Sequence, residues 1–145
     1  MTSGGRTIGV HYAPEMIEWL NEIIEGCDVD LVWVTSWLQE GLILKLVDQL
    51  GLLQGGRLVP APTPRLSGGF CSRWKSQRIL AYQRESAAPF GWIDDESGEY
   101  VREVRGSTRG TPSLILQPDA LEGIRPRHLT TLQSFYAGLP GAKVA

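Results

Sequence analysis
Apolar residues recur along this chain in two rhythms, one at helical spacing and one in short unbroken runs, so that helices and strands are expected to alternate. Ala13, Met16, Ile17, Leu20 and Ile24 share one face of a predicted helix from Pro14 to Ile24. Pro14 suits the first turn, Glu15 and Glu18 lie toward the positive helix end, and Gly26 is expected to stop the helix. Leu31 to Val34 reads as a buried strand. Helical spacing returns from Trp37 to Leu50, with Leu38, Leu42, Leu46 and Leu50 on one row and Gly51 at the end.

Residues 54–70 are dense in Gly and Pro and predict a loop that holds a short strand at Arg57 to Val59. Beyond it, Ser72 to Glu85 reads as helix, Phe90 to Ile93 and Ser113 to Leu116 as strands, and Pro126 to Ala137 as a last helix with Leu129, Leu132, Phe135 and Tyr136 inward. The polar lead-in Arg6 to Tyr12 suits one edge strand or half a hairpin. This order predicts an α/β fold with a small, mostly parallel sheet. A doubly wound sheet normally opens on a strand, and that first strand is missing ahead of Pro14.

At 145 residues and 42% apolar content, the chain fits a single domain spanning 1–145. The net charge of −2 lacks the basic excess of a general nucleic-acid binder. Positive charge is uneven: residues 1–60 hold three Lys or Arg against eight Asp or Glu, and residues 61–145 hold eleven against eight. Cys27 and Cys71, with His11 and His128, lack the local pairing of a zinc site. Nothing at the N-terminus resembles a signal peptide, and no apolar run approaches the roughly 20 residues of a membrane span, so a cytoplasmic location with reduced thiols is expected.

Chemistry concentrates at strand ends. Ligands of open α/β sheets bind outside the carboxyl ends of the strands. One apolar run ends in Thr35 and Ser36, and another in Asp94, Asp95 and Glu96. Adjacent carboxylates repel one another, and holding a hard dication through oxygen is a common use for them. Asp-Asp-Glu-Ser-Gly also reads as a solvated turn. Lys75 falls in the first turn of a predicted helix, where a cation costs about 0.3–1 kcal/mol unless an anion sits beside it. Alone, it reads as an exposed, screened surface lysine.

In this order, Leu-Val-Trp-Val-Thr-Ser-Trp (31–37), Trp74-Lys75 and Trp-Ile-Asp-Asp-Glu (92–96), behind the helix Tyr-Ala-Pro-Glu-Met-Ile-Glu-Trp-Leu (12–20), resemble small members of the haloacid-dehalogenase-like (HAD) phosphohydrolase superfamily. The resemblance covers most of the chain. It implies a Rossmann-like three-layer sandwich and Mg²⁺-dependent phosphoryl chemistry. Thr35 and Ser36 would bind a phosphoryl oxygen, Lys75 would neutralise developing charge, and Asp94 and Asp95 would help hold Mg²⁺. Catalytic roles would fall to Thr35, Lys75 and Asp95. Such chemistry is mostly positioning and charge stabilisation, which explains the residue types.

The family's nucleophile lies in an Asp-x-Asp pair at the end of a strand before the first helix, and this chain shows no such strand. Asp28-Val-Asp30 precedes its apolar run, roughly 13 Å from Thr35 at about 3.3 Å per residue, and is expected to serve a turn. Three readings follow. The first is an enzyme whose Asp-x-Asp strand lies upstream of Met1. The second is a degenerate HAD-like domain that keeps the fold and binds a partner or a ligand without turnover. The third is an unrelated α/β binding or protein-interaction module. With residues 54–70 as its only cover, the site would suit an accessible phosphate, on a small molecule or a nucleic-acid end. His11 and His128 read as surface or helix-face residues, and Trp33, Trp37 and Trp92 as core packing.

Overall fold
Two strand–helix–strand segments, each closing a parallel strand pair, supply the frame of this mixed α/β protein. The computed structural model describes residues 2–3, 6–7, 12–35, 42–52, 56–59 and 73–140. The chain divides into two compact units, residues 1–62 with 143–145, and residues 63–142.

In the first unit, β1 (Thr2–Ser3) and β2 (Arg6–Thr7) form a short antiparallel pair, so the first two residues of the lead-in pair as half of a hairpin, and residues 8–11 lie outside the described residues. Helix α1 (Pro14–Gly26) buries Ile23 and Ile24 and half-buries Met16, Ile17 and Leu20, as its periodicity predicts. The helix stops at Gly26 as expected, two residues beyond the predicted Ile24. The chain reverses at Asp28, in left-handed backbone at φ 53°, with Asp28 N–H donating to Glu25 O (3.4 Å) and Val29 N–H to Ile24 O (3.0 Å). Asp is among the few side chains that tolerate this conformation.

Strand β3 (Val32–Val34) pairs in parallel with β4 (Arg57–Val59), the short strand expected inside the Gly/Pro-rich segment. Between them, α2 (Leu42–Leu50) buries Ile43 and Val47, with Leu46 and Leu50 half-buried beside them and Leu44 exposed. The inward row therefore lies one residue away from the leucine row that the sequence suggested. Gly51, at φ 71°, ends the helix as expected. The first residues of the predicted second helix, and most of residues 54–70, lie outside the described residues.

In the second unit, β5 (Phe90–Ile93) and β6 (Ser113–Leu116) pair in parallel from Phe90↔Ser113 to Ile93↔Leu116. The ladder runs on at one end through Asp94 N–H to Leu116 O, 3.2 Å. Helix α3 (Arg73–Ser86) contributes Ile79 and Leu80 to the core, and α5 (Pro126–Ala137) contributes Leu129 and Leu132. Trp92 is buried in β5, as core packing predicts. Gly91 lets α5 approach the strand: a Cβ there would lie 2.8 Å from Leu132 Cδ1, and its N–H donates to the Tyr136 hydroxyl at 3.0 Å.

A 3-10 turn (Ser97–Tyr100) followed by α4 (Val101–Ser107) connects β5 to β6, and the apolar pattern did not predict it. Val104 is its fully buried anchor. Ser76, Gln83, Ser97, Thr108 and His128 are buried too, and every buried side-chain nitrogen or oxygen among the described residues has a hydrogen-bond partner. No described helix is long and apolar enough to cross a membrane.

Candidate functional site
Strand β5 leads at Asp94, the residue after its end, into a tight turn. Asp94 Oδ1 accepts from Glu96 N–H (2.9 Å), and Asp94 O accepts from Ser97 N–H (3.1 Å). This Asx turn curls the chain so that Glu96 returns to the side of Asp94, while Asp95 is left exposed. The turn is tied to the next strand twice: Ser97 Oγ donates to Leu116 O (3.1 Å), and Gln117 Nε2 donates to Asp95 O (2.8 Å). Gly98 leaves room for that amide, because a Cβ there would collide with Gln117 Oε1.

Helix α3 supplies the cation. Lys75, its third residue, donates from Nζ to Asp94 Oδ2 at 2.9 Å and to Glu96 Oε2 at 3.0 Å. The Lys75 and Asp94 side chains are 13% and 11% exposed, against 41% for Glu96. This is not a screened surface lysine. Its place at a positive helix end costs about 0.3–1 kcal/mol, whereas hydrogen bonds to charged groups contribute about 1.5–3 kcal/mol, so the pairing prevails. Burial alone would lower the Lys75 pKa, but the hydrogen bonds to Asp94 and Glu96, with the charges of both, outweigh it and hold the pKa above its ordinary value.

Asp94, Asp95 and Glu96 can each offer one carboxylate oxygen within 4.8 Å of the others. Two of these carboxylates face the one Lys75 ammonium and Asp95 lies beside them, so the cluster carries an excess of negative charge. That donor set, all oxygen and close-spaced, fits a hard dication such as Mg²⁺.

Of the residues singled out in the sequence, the second unit brings Lys75 and Asp94 together and leaves Asp95 at the exposed edge of the same turn. Thr35 follows β3 in the first unit, half-buried, and Ser36 lies outside the described residues. Glu96 is the partner that the reading of candidate ligands passed over. Its signal was present as the third acid of the run, but an i, i+2 return through an Asx turn is invisible to strand alternation. Asp28 serves the turn that closes α1, as expected for it.

His128 is not a surface residue. It is 7% exposed at the start of α5, where Nδ1 accepts from Arg125 N–H at 2.8 Å. Burial, reinforced by the neighbouring Arg127 charge, holds its pKa below the usual histidine value. It is a helix-end acceptor and belongs to no nucleophile arrangement among the described residues. His11, Trp37 and Cys71 lie outside those residues, and Cys27 is a half-buried free thiol.

Comparison of the chain with protein-family models, with curated proteins and with solved structures finds no match in any of the three.

Proposed function
We propose that this chain is a phosphohydrolase-type domain of HAD-like, Rossmann-like layered design, which holds Mg²⁺ and a phosphorylated ligand at the carboxyl end of β5. The observation that carries the reading is the lysine seated between two carboxylates at a strand end. The proposal rests on the second unit alone. Asp94, Asp95 and Glu96 would hold the metal, and bound Mg²⁺ would supply charge neutralisation at the phosphoryl oxygens. Lys75, already oriented by Asp94 and Glu96, would turn its remaining donor capacity to the same oxygens.

Hydrolysis by the family's route requires a carboxylate nucleophile. The Asp-x-Asp of this chain, at 28 and 30, precedes β3, and Asp28 closes a helix. The function proposed for these residues is therefore binding of a phosphorylated ligand, a small molecule or a nucleic-acid end. The expected result with a chromogenic phosphate ester is no Mg²⁺-dependent turnover that Asp95→Asn abolishes.

Thermal unfolding with and without Mg²⁺ tests the reading. At ten times its dissociation constant the metal stabilises by about 1.4 kcal/mol, equivalent to several degrees in a domain of this size. Asp95→Asn/Glu96→Gln should lose that rise, and an equal rise in both proteins would remove the metal from the proposal.

A second reading, a non-catalytic binding or protein-interaction module, is favoured by one observation. Lys75 already answers Asp94 and Glu96 internally, which is what a strut between α3 and the end of β5 would do. A protein destabilised by loss of Lys75 yet indifferent to Mg²⁺ would be that module.

A further inference from the structure
We propose that the second unit carries a separate phosphate-binding pocket at the amino ends of β5 and β6, formed by Arg84, Arg109, Ser107 and Thr111. A cavity of about 150 Å³ lies there, between the end of α3 and the end of α4. It greatly exceeds the roughly 10–15 Å³ that one water requires. Ala87 precedes β5 by a few residues and Thr111 precedes β6, so the pocket sits a strand length of roughly 13 Å, at about 3.3 Å per residue, from the Asp94 end.

Its lining is one-sided in charge. Arg84 and Arg109 both contribute, and no carboxylate does. Neither guanidinium makes a hydrogen bond or ion pair with another described residue. The remaining polar groups sort cleanly. Gln83 is occupied, donating to Ala88 O at 2.6 Å and accepting from Ser86 Oγ at 3.1 Å, and Thr108 Oγ1 donates to Val104 O at 2.7 Å. The hydroxyls of Ser107 and Thr111 have no described partner and complete the donor set.

A basic residue at a helix C-terminus often does no more than answer the last carbonyls. Here two such carbonyls already have other donors, Gln83 O accepting from Ala87 N–H (2.9 Å) and Val104 O from Thr108 N–H (3.1 Å), and beyond α4 Thr108 O accepts from Thr111 N–H (3.0 Å). Two planar guanidiniums and two hydroxyls offer more donors than a carboxylate can accept, and their two positive charges match a phosphate dianion. Ala87 walls the cavity in left-handed backbone, at φ 50°, where glycine would be relaxed. Strain of this kind gathers at functional sites.

The test is an amide NMR titration of the full chain, with inorganic phosphate in one arm and glycerol 3-phosphate in the other. Saturable shifts are expected at Ala87 and from Ser107 to Thr111. The arm that binds more tightly identifies free phosphate or a phosphomonoester as the ligand. Arg84→Gln/Arg109→Gln, both at exposed positions, should keep the melting temperature and weaken binding by at least about tenfold. The proposal is overturned by unsaturable shifts, by shifts confined to Lys75 and Asp94–Ser97, or by equal binding in the double variant.

Discussion

Replacing Lys75 with Met removes one ammonium and leaves two carboxylates facing the space it filled. Asp94 would keep only the Glu96 N–H on Oδ1, while Oδ2, in a side chain 11% exposed, would lose its partner. Breaking a buried pair costs about 3–5 kcal/mol, and exposed pairs contribute about 0.2–1 kcal/mol. The Lys75–Asp94 contact lies toward the buried limit, and the 41% exposure of Glu96 puts its contact toward the other. Removing a cation from the α3 N-terminus returns about 0.3–1 kcal/mol. The expected net loss for Lys75→Met is thus about 2 kcal/mol, against about 0.5 kcal/mol for Glu96→Gln. Urea unfolding reads the total, and hydrogen exchange at residues 90–96 and 113–116 locates it. A double-mutant cycle with Asp94→Asn should give a coupling of about 1–2 kcal/mol. A Lys75→Met protein within about 0.5 kcal/mol of the parent, or protection of β5 and β6 left unchanged, would refute the reasoning. Because the folded-state Lys75 pKa is raised, its stabilisation is fully present below the ordinary lysine value of about 10.4 and is lost as pH rises through the folded value. The gap between parent and variant should therefore narrow in strongly alkaline buffer.

The buried neutral His128 has a lowered pKa, so the folded state resists its protonation. Stability should be level above about pH 6.5 and fall with pH through the lowered folded value. Melting curves from pH 7.5 to 5 should show that fall in the parent and a smaller one in His128→Gln. Ala87→Gly relieves a left-handed alanine and should stabilise the fold by about 0.5–1 kcal/mol, and a destabilised variant would contradict the backbone assignment. Gly91→Ala would bring a methyl group to 2.8 Å from Leu132 Cδ1 and should cost about 1–3 kcal/mol, read as a drop in urea midpoint.

Where the pattern was strong, the elements were legible. Pro126–Ala137 coincides with its prediction because Pro at the start and Leu129 and Leu132 inward all agree. Strands β5 and β6 were marked by short apolar runs that end abruptly in polar residues, Asp94 after β5 and Gln117 after β6. The 3-10 turn and α4 were not legible, because Ser97 to Ser107 holds only Tyr100, Val101 and Val104 as apolar side chains and is interrupted by Gly98 and Gly106. In α2, the leucine row and the Ile43/Val47 row are equally apolar, and only tertiary packing chooses between them. The candidate site was half legible. Lys75 stood out by its unfavourable place at a helix start and Asp94 by its place at a strand end. The closeness of Glu96 to Lys75 arises from the Asx turn in which Asp94 Oδ1 accepts from Glu96 N–H; Asp-Asp-Glu-Ser-Gly read as a turn in the sequence, but not which acid the turn carries back to Lys75.

The most direct test of a metal and phosphate site at the end of β5 is an amide NMR titration of the full chain with Mg²⁺. The predicted result is saturable shifts from Asp94 to Ser97 and at Lys75, abolished by Asp95→Asn/Glu96→Gln, with subsequent phosphate moving the same amides further. Shifts that never saturate, or that persist unchanged in the double variant, would contradict it and leave Lys75, Asp94 and Glu96 as a strut in the fold.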